Sequence, residues 1–505
     1  MFPLDAFDKL HVVSDLHMGG QGPGQMFNQG ARLAQWLDHV RSTTPEQNVA
    51  VCLNGDTVDF LAEPAPAYFD GSNAVAKLER IVADPAFAPA WKALNRLVRT
   101  KRRTLILTLG NHDLELALPW VREHLLRRLS GDNEAARGRI RLAFDGAGYL
   151  CRVGAARVLC LHGNDVDAWN RTDYETLRRQ GRNGLLGQTL RPWTPNAGTK
   201  LIIDVMNEIK RQCPFVDLLK PEVEAVVPIL YALRPDLQSR LRACMAVAAH
   251  LAWDSLRHEL GFLAAKQHVN AIAETVEGGA AANAKSAADA AFEQLLQATF
   301  SAPNDSAAEP LGDPLLVETE RRFRQKVEPM SLLTDDDAGS RLGWTQAAWN
   351  WLTRKSPSEI LRAALSGLAR DQSFDVKHAD ETFRRWDDLV AHQIEFVVVG
   401  HTHLERALRR GSGNGTYYNS GTWARLIRLS PDILASADQF ARYDRAFRAG
   451  TMAALDGEPG LILRRRTLVS IVAQGARTQG GLYRLDDGPN LDGTPVEGSE
   501  WEVES

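Results

Sequence analysis

The sequence predicts an α/β fold, and three observations indicate it. Five short apolar runs recur along the chain, each run is followed by a polar loop, and helical patterns lie between them. Short apolar runs bounded by glycine and rich in β-branched residues are typical of buried strands. Strands that alternate with helices form layered sheets covered by helices, so the core is expected to be α/β.

The elements follow in chain order. The five apolar runs predict strands at residues 10–13, 49–53, 105–109, 158–161 and 397–399. Leu33, Trp36, Leu37 and Val40 repeat at i, i+3, i+4 and i+7, which predicts an amphipathic helix after the first strand. The stretch RRRTLVSIVAQ at residues 464–474 predicts one more strand near the end of the chain.

The composition divides the chain into four segments. Residues 1–169 and 376–480 carry the strand-like runs and are expected to form one core in two parts. Residues 170–375 are rich in Ala, Leu and Arg, which predicts a mainly helical insertion that caps the core, with a flexible stretch near 281–314. Residues 481–505 are polar and glycine-rich, and we expect a mobile tail there.

Composition and charge exclude several classes of protein. The net charge of −4 over 505 residues gives no general attraction to nucleic acid or to anionic membranes, and the run Arg464–Arg465–Arg466 is interpreted as solvated surface. The five cysteines form no C-x-x-C motif, so neither a disulfide framework nor a structural zinc site is predicted. The start lacks the pattern of a signal peptide and no apolar stretch is long enough to span a bilayer. A cytoplasmic protein is expected.

Side chains that bind metals follow each of the five predicted strands. They are Asp15, His17, Asp56, Asn111, His162, His401 and His403. Ligands of α/β sheets bind beyond the carboxyl ends of strands, so these residues are expected to meet at one edge. An extended backbone would point Asp15 and His17 to the same side, and likewise His401 and His403.

The donor set indicates the kind of metal. Oxygen and imidazole nitrogen without thiolate favour Mn²⁺, with Fe and Zn²⁺ as alternatives, over Ca²⁺. Seven ligands exceed what one such ion takes and suit two divalent ions that share a carboxylate. Two ions roughly 3.5–4 Å apart are the usual device for activating water against a phosphoryl group.

These motifs resemble the five blocks of the calcineurin-like metallophosphoesterase superfamily, in the order of that family. The blocks are D-x-H at residues 15–17, GDTVD at 55–59, GNHD at 110–113, HG at 162–163 and GHTH at 400–403. The resemblance covers roughly residues 8–170 and 385–425. It implies a four-layer αββα sandwich, here with a large helical insertion.

The resemblance also implies the roles of individual residues. One ion would be held by Asp15, His17, Asp56 and His403, and the other by Asp56, Asn111, His162 and His401. Asp56 would bridge the two ions, and a hydroxide between them would be the nucleophile. His112 corresponds to the family's histidine that stabilises or protonates the leaving oxygen. Asp59 and Asp113 would orient their neighbours, although a turn for Asp59 and a helix N-cap for Asp113 are equally plausible from the sequence.

Three classes of function remain open. A phosphodiesterase or pyrophosphatase acting on a phosphate ester, including a nucleotide-linked one, is favoured. SDLHMGG and DYETLRRQGRNG more weakly resemble UDP-2,3-diacylglucosamine pyrophosphatases, which usually have arginine in place of His112 and a much shorter insertion. A metal-dependent DNA nuclease of the repair type would share GNHD and GHTH, but no strong basic stripe is present. The third class is a binding or scaffold protein with a vestigial site.

Overall fold

The strands of the computed structural model lie where the apolar runs predict them, and further strands accompany them. The structure describes residues 4–22, 25–64, 69–167, 170–190, 193, 218–219, 374–411, 415–428 and 437–504. The strands are β1 Ala6–Phe7, β2 Lys9–Val13, β3 Val49–Asn54, β4 Arg103–Thr108, β5 Ile140–Ala143, β6 Tyr149–Val153, β7 Ala156–Cys160, β8 Phe396–Val399, β9 Arg406–Arg409, β10 Thr416–Asn419, β11 Leu426–Ile427, β12 Ile462–Leu463, β13 Thr467–Gln474, β14 Arg477–Arg484, β15 Thr494–Pro495 and β16 Trp501–Glu504.

Helices connect and cover these strands. They are α1 Gly30–Ser42, α2 Ala74–Ala83, α3 Ala88–Arg99, α4 Pro119–Ser130, α5 Glu134–Arg137, α6 Tyr174–Leu185, α7 Glu381–Leu389, α8 Ala437–Ala449 and α9 Met452–Asp456, with short 3₁₀ turns at Leu114–Ala117 and Asn164–Val166. The predicted first helix corresponds to α1, whose Leu33, Trp36, Leu37 and Val40 are buried as the periodicity requires.

The strands form two large sheets. The first has the order β15-β14-β13-β2-β3-β4-β5, with β16 also paired to β14. Strands β2 to β5 run parallel, whereas β13 lies antiparallel to β2. The second sheet has the order β1-β6-β7-β8-β10-β9, and β7, β8 and β10 run parallel. A separate two-stranded ribbon consists of β11 and β12.

The two sheets pack face to face, and helices cover their outer faces. Along β3, Val51 packs with the helices α1 to α4, while the next residue, Cys52, lies in the core between the sheets. Along β8, Val398 lies in that same inner core, while Val397 and Val399 pack outward near α7. Strands buried on both faces read as continuous apolar runs, which is why the sequence showed runs rather than alternation. The four-layer αββα arrangement is thereby confirmed.

The end of the chain differs from the expectation. The predicted mobile tail at 481–505 begins inside β14, and β15 and β16 pair with that strand. The Trp501 ring packs 5.9 Å from the ring of Tyr418 in the second sheet. An apolar side chain and strand pairing therefore bind this polar segment to the core. Most of the predicted insertion, including 281–314, lies outside the described residues.

Candidate metal centre

All seven candidate ligands lie at the carboxyl ends of strands, as the strand-end rule predicts. Asp15 and His17 follow β2, Asp56 follows β3, Asn111 follows β4, His162 follows β7, and His401 and His403 follow β8. Asn54, at the end of β3, joins the two sheets there, because its amide donates to the carbonyl oxygens of Leu161 at 2.8 Å and Val398 at 3.2 Å. The parallel strands of both sheets thus end around one site.

One group of ligand atoms gathers around the two histidines of the first and last motifs. His17 Nε2 lies 2.9 Å from His403 Nε2, and His403 Nε2 lies 3.4 Å from Asp15 Oδ1. His17 Nε2 is also 3.7 Å from Asp56 Oδ2. All four side chains are buried. Asp15, His17 and His403 together could hold a metal ion.

A second group shares Asp56. His162 Nε2 lies 3.1 Å from Asp56 Oδ2, and Asp15, Asp56 and His162 form another set that could hold an ion. Asn111 is buried beside this set, and its Oδ1 has no hydrogen-bond partner among the described residues. A buried amide oxygen without a partner is costly unless a ligand satisfies it.

His401 is placed differently from the other six. Its Nε2 lies 2.9 Å from Asp167 Oδ2, and its ring centre lies 5.4 Å from that of His162. The His401 backbone N–H donates to the Asp15 carboxylate at 3.0 Å. With Nε2 bound to Asp167, Nδ1 is the nitrogen that His401 can offer to a ligand.

The backbone at the ligands is left-handed rather than extended, which corrects the geometric argument made from the sequence. Seven described non-glycine residues have positive φ, and five of them are candidate ligands. Their φ angles are 52° at Asp15, 47° at His17, 47° at Asp56, 70° at His401 and 62° at His403. This conformation costs roughly 1–2 kcal/mol per residue. The paired side chains converge through local backbone strain, and such strain collects at functional sites.

Two glycines leave room for the ligand carboxylates. A Cβ added at Gly110 would collide with the Asp56 carboxylate, and one added at Gly400 would collide with Asp15 and Ser14. Glycine at these two positions therefore lets the backbone approach the ligand carboxylates closely.

The donor set fits a divalent cation. The His162 Nδ1–H donates to the Asn54 carbonyl oxygen at 3.1 Å, so in the neutral ring the other nitrogen faces the Asp56 carboxylate with its lone pair. His17 is arranged alike, with Nδ1 3.1 Å from Asp59 and Nε2 facing His403. A proton or a cation has to lie between such facing acceptors, and a divalent cation satisfies several of them at once.

The buried charges perturb one another. Burial disfavours the charged imidazolium of His162, but Asp56 and Asp15 outweigh it and raise its pKa to about 10 in the metal-free chain. Burial would raise the pKa of Asp56, but the His162 and His112 rings hold it below its usual value. Burial and the Asp56 carboxylate raise the pKa of Asp113 to about 7. Strongly shifted groups clustered at strand ends are typical of functional sites.

The structure shows which of the roles left open by the sequence Asp59 and Asp113 have. Asp59 Oδ1 accepts the Ala62 N–H in a turn, while its Oδ2 lies 3.1 Å from His17 Nδ1 and 3.2 Å from His112 Nδ1. Asp59 therefore both stabilises the turn and orients the two histidine rings. Asp113 makes no helix-capping bond and instead accepts the N–H groups of Thr57 and Gly110. It joins the loops that carry Asp56 and Asn111.

Asp167 was missed in the sequence reasoning. It ends the stretch HGNDVD, immediately after the fourth motif, and holds His401 from the first part of the core. Its position just after a ligand motif was the feature of the sequence that could have indicated its role. Without the fold, nothing indicated that its partner lies in the fifth motif.

Comparison with known proteins supports the resemblance that the motifs indicated. Residues 9–214 match the family model described as calcineurin-like phosphoesterase. The match includes the first four motifs and ends before His401 and His403. None of the curated proteins compared with the chain matches it. Within the described part of the chain, no helix has the length and apolar character needed to cross a membrane.

Proposed function

We propose that this chain, whose residues 9–214 match the calcineurin-like phosphoesterase family, is a metal-dependent phosphoesterase that hydrolyses a phosphodiester or pyrophosphate bond at a centre of two divalent ions. The single observation that carries the dinuclear proposal is the position of Asp56. Its Oδ2 lies 3.7 Å from His17 Nε2 and 3.1 Å from His162 Nε2, between the two groups of ligand atoms.

The ligand sets of the proposal follow from this division. Asp15, His17, Asp56 and His403 would hold one ion, and Asp56, Asn111, His162 and His401 the other. The mixed oxygen and nitrogen donors favour Mn²⁺, with Fe and Zn²⁺ as alternatives. When bound, the ions would supply an activated hydroxide and neutralise charge on the phosphoryl group.

The chain's own residues complete the chemistry. Asp59 holds the Nδ1 atoms of His17 and His112 through one oxygen, which fixes both ring orientations. The His112 side chain is about one quarter exposed, at 23 %, whereas His17 beside it is buried. His112 can therefore meet a substrate and supply a proton or hydrogen bond to the leaving oxygen.

The test of this function is metal content together with hydrolysis. We expect about two transition-metal ions per chain after loading, and hydrolysis of bis(p-nitrophenyl) phosphate with Mn²⁺. Asp56→Asn should lower metal content at both positions, because the shared carboxylate is lost. Asp132→Asn, at an exposed position after α4, is the matched control. At most one ion in fully loaded wild-type protein would refute the dinuclear centre.

The remaining functional proposals concern substrate and location. A phosphate ester, including a nucleotide-linked one, is the proposed substrate. Degradation of plasmid DNA with Mn²⁺ would instead favour the nuclease hypothesis.

Cys52, Cys151 and Cys160 are buried free thiols, which is consistent with the proposed cytoplasmic location. Metal binding without hydrolysis of any ester would favour a scaffold.

A further inference from the structure

Three arginines meet at the sheet edge that carries the metal centre. Arg428, Arg465 and Arg484, here termed the arginine cluster, come from three separate segments of the chain. We propose that the arginine cluster binds a second anionic group of the substrate, a phosphate that is not itself attacked. The inference rests on the proposed function and deepens it by assigning a substrate class.

The strand register places the cluster beside the ligands. Val469 of β13 pairs with Val12 of β2 in an antiparallel ladder, so Thr467 at the start of β13 is level with Ser14. Thr467 also donates to the carbonyl oxygen of Ser420, whose Oγ lies 2.7 Å from Ser14 Oγ. Ser14 directly precedes the ligand Asp15. The chain just before β13 therefore reaches the same edge as the metal centre.

Arg465 and Arg484 are held there by one buried carboxylate. Arg484 pairs with Thr467 across β14 and β13. Both guanidinium groups contact Oε1 of Glu405, which is only 2 % exposed and follows the ligand His403 by two positions. The motif that supplies a ligand histidine thus also orients the two arginines.

Arg428 joins the cluster through an aromatic ring. Its guanidinium lies 5.7 Å from the ring centre of Phe374, and that of Arg465 lies 5.4 Å from the same centre. Attraction of guanidinium groups to an aromatic face stabilises this arrangement. Phe374 therefore keeps two like charges close together.

The cluster carries more positive charge than its described acidic neighbour neutralises. Two of its three guanidinium groups share the carboxylate of Glu405, while the third, of Arg428, packs on Phe374. The nearby Arg406 is paired with Asp380 at 2.9 Å. Burial lowers the pKa of Arg465, Glu405 opposes this, and Arg484 and Arg428 lower it further. Crowded guanidinium groups with donors to spare are suited to phosphate oxygens, which match their planar geometry.

The sequence had suggested a different environment for one of these arginines. The run Arg464–Arg465–Arg466 was interpreted as solvated surface, but the Arg465 and Arg466 side chains are only 13 % and 6 % exposed. The interpretation was wrong for these two residues, which contact Glu405 and Asp487 just before β13 begins, whereas Arg464 is exposed as expected.

The experiment separates the cluster from the metal centre. Binding of inorganic pyrophosphate to the full chain is measured by calorimetry after chelation of metals, and hydrolysis of bis(p-nitrophenyl) phosphate is measured on Mn²⁺-loaded protein. Arg428→Gln and Arg465→Gln should each weaken pyrophosphate binding about tenfold or more, as loss of a charged hydrogen bond does. The diester has one anionic group, so its rate should stay within about twofold.

An exposed arginine outside the cluster serves as the control for the loss of charge. Arg127→Gln, on α4 and 71 % exposed, should leave pyrophosphate binding unchanged. Arg428 is exposed, so Arg428→Gln should fold even if Arg465→Gln, at a partly buried position, does not. Unchanged affinity in folded Arg428→Gln, or no pyrophosphate binding by wild type, would overturn the proposal. Wild-type binding without any hydrolysis would count against the proposed function alone.

Discussion

At the scale of single residues, one carboxylate organises the neighbourhood of the proposed leaving group. Asp59 Oδ2 contacts the Nδ1 atoms of both His17 and His112, and the two rings lie edge to face with centres 4.7 Å apart. Burial opposes the Asp59 charge, but His112 and His17 outweigh it and keep the pKa of Asp59 well below its usual value. A carboxylate in this position stabilises a protonated His112, the form that can donate.

His112→Asn should therefore slow hydrolysis in a way that depends on the leaving group. An alkoxide needs a proton, so its ester should lose about 10²–10⁴-fold in kcat/KM. Nitrophenolate departs without a proton, so a nitrophenyl diester should lose little. Metal content should stay near that of the wild type, since no proposed ligand is removed. The measurement is kcat/KM on both diesters, with elemental analysis in parallel.

One result would contradict the role of His112 as the acid for the leaving oxygen. Equal losses on both diesters, with metals retained, would mean that the ring acts on the phosphoryl group in general and not on the leaving oxygen. His124→Asn is a matched control, because this histidine lies on α4 and pairs with Glu79 away from the ligands.

At the scale of elements, a buried arginine connects α1 to the first sheet. Arg103 begins β4 and is fully buried. Its guanidinium donates to the carbonyl oxygens of Val40 at 3.0 Å and Gln47 at 2.9 Å, near the end of α1 and in the loop before β3. Val40 lies in the last turn of α1, where carbonyl groups lack partners within the helix, so Arg103 supplies the missing donor.

Arg103→Met should lower the free energy of unfolding by about 2–4 kcal/mol, because several buried carbonyl oxygens would lose their donors. Urea denaturation followed by circular dichroism measures the change. Arg127→Met, at an exposed position, is the comparison and should change stability by less than about 0.5 kcal/mol. Similar unfolding midpoints for the two variants would show that water can hydrogen-bond to these carbonyl oxygens as well as Arg103 does.

At the scale of the whole molecule, a buried glutamate outside the metal centre makes stability depend on pH. Glu115 is 1 % exposed and accepts the Asp70 N–H at 2.8 Å. Burial raises its pKa from 4.5 to about 7, although the Asp70 hydrogen bond acts in the opposite direction. The folded chain therefore binds a proton at this position more tightly than the unfolded chain.

Because the folded chain holds this proton more tightly, its stability falls as the pH rises. Below about pH 4.5 both states are protonated, and as pH rises through about 7 the folded state loses a contribution of about 3 kcal/mol. Glu115→Gln should remove this loss and be more stable than wild type at pH 8 but not at pH 4.5. Urea midpoints at the two pH values for wild type, Glu115→Gln and the exposed control Glu134→Gln measure it. An identical pH dependence in all three proteins would exclude the effect.

Local patterns in the sequence were sufficient for the core strands, the first helix and the candidate ligands. Burial on both faces leaves a continuous apolar run, and the polar side chain just after such a run lies at the carboxyl end of its strand wherever the strand is placed. These relations involve residues that are neighbours along the chain. They hold for Asp15 after β2 and for His401 after β8 alike.

The contacts between distant segments became visible only in the folded molecule. Asp167 meets His401, Arg465 and Arg484 meet on Glu405, and β16 pairs with β14. The left-handed backbone at the ligands belongs with these, since the loops of the two sheets hydrogen-bond to one another there, as the His401 N–H does to the Asp15 carboxylate. Periodicity and composition report whether a side chain is buried, but they do not report its partner, because strand order and register depend on how the complete sheets pack.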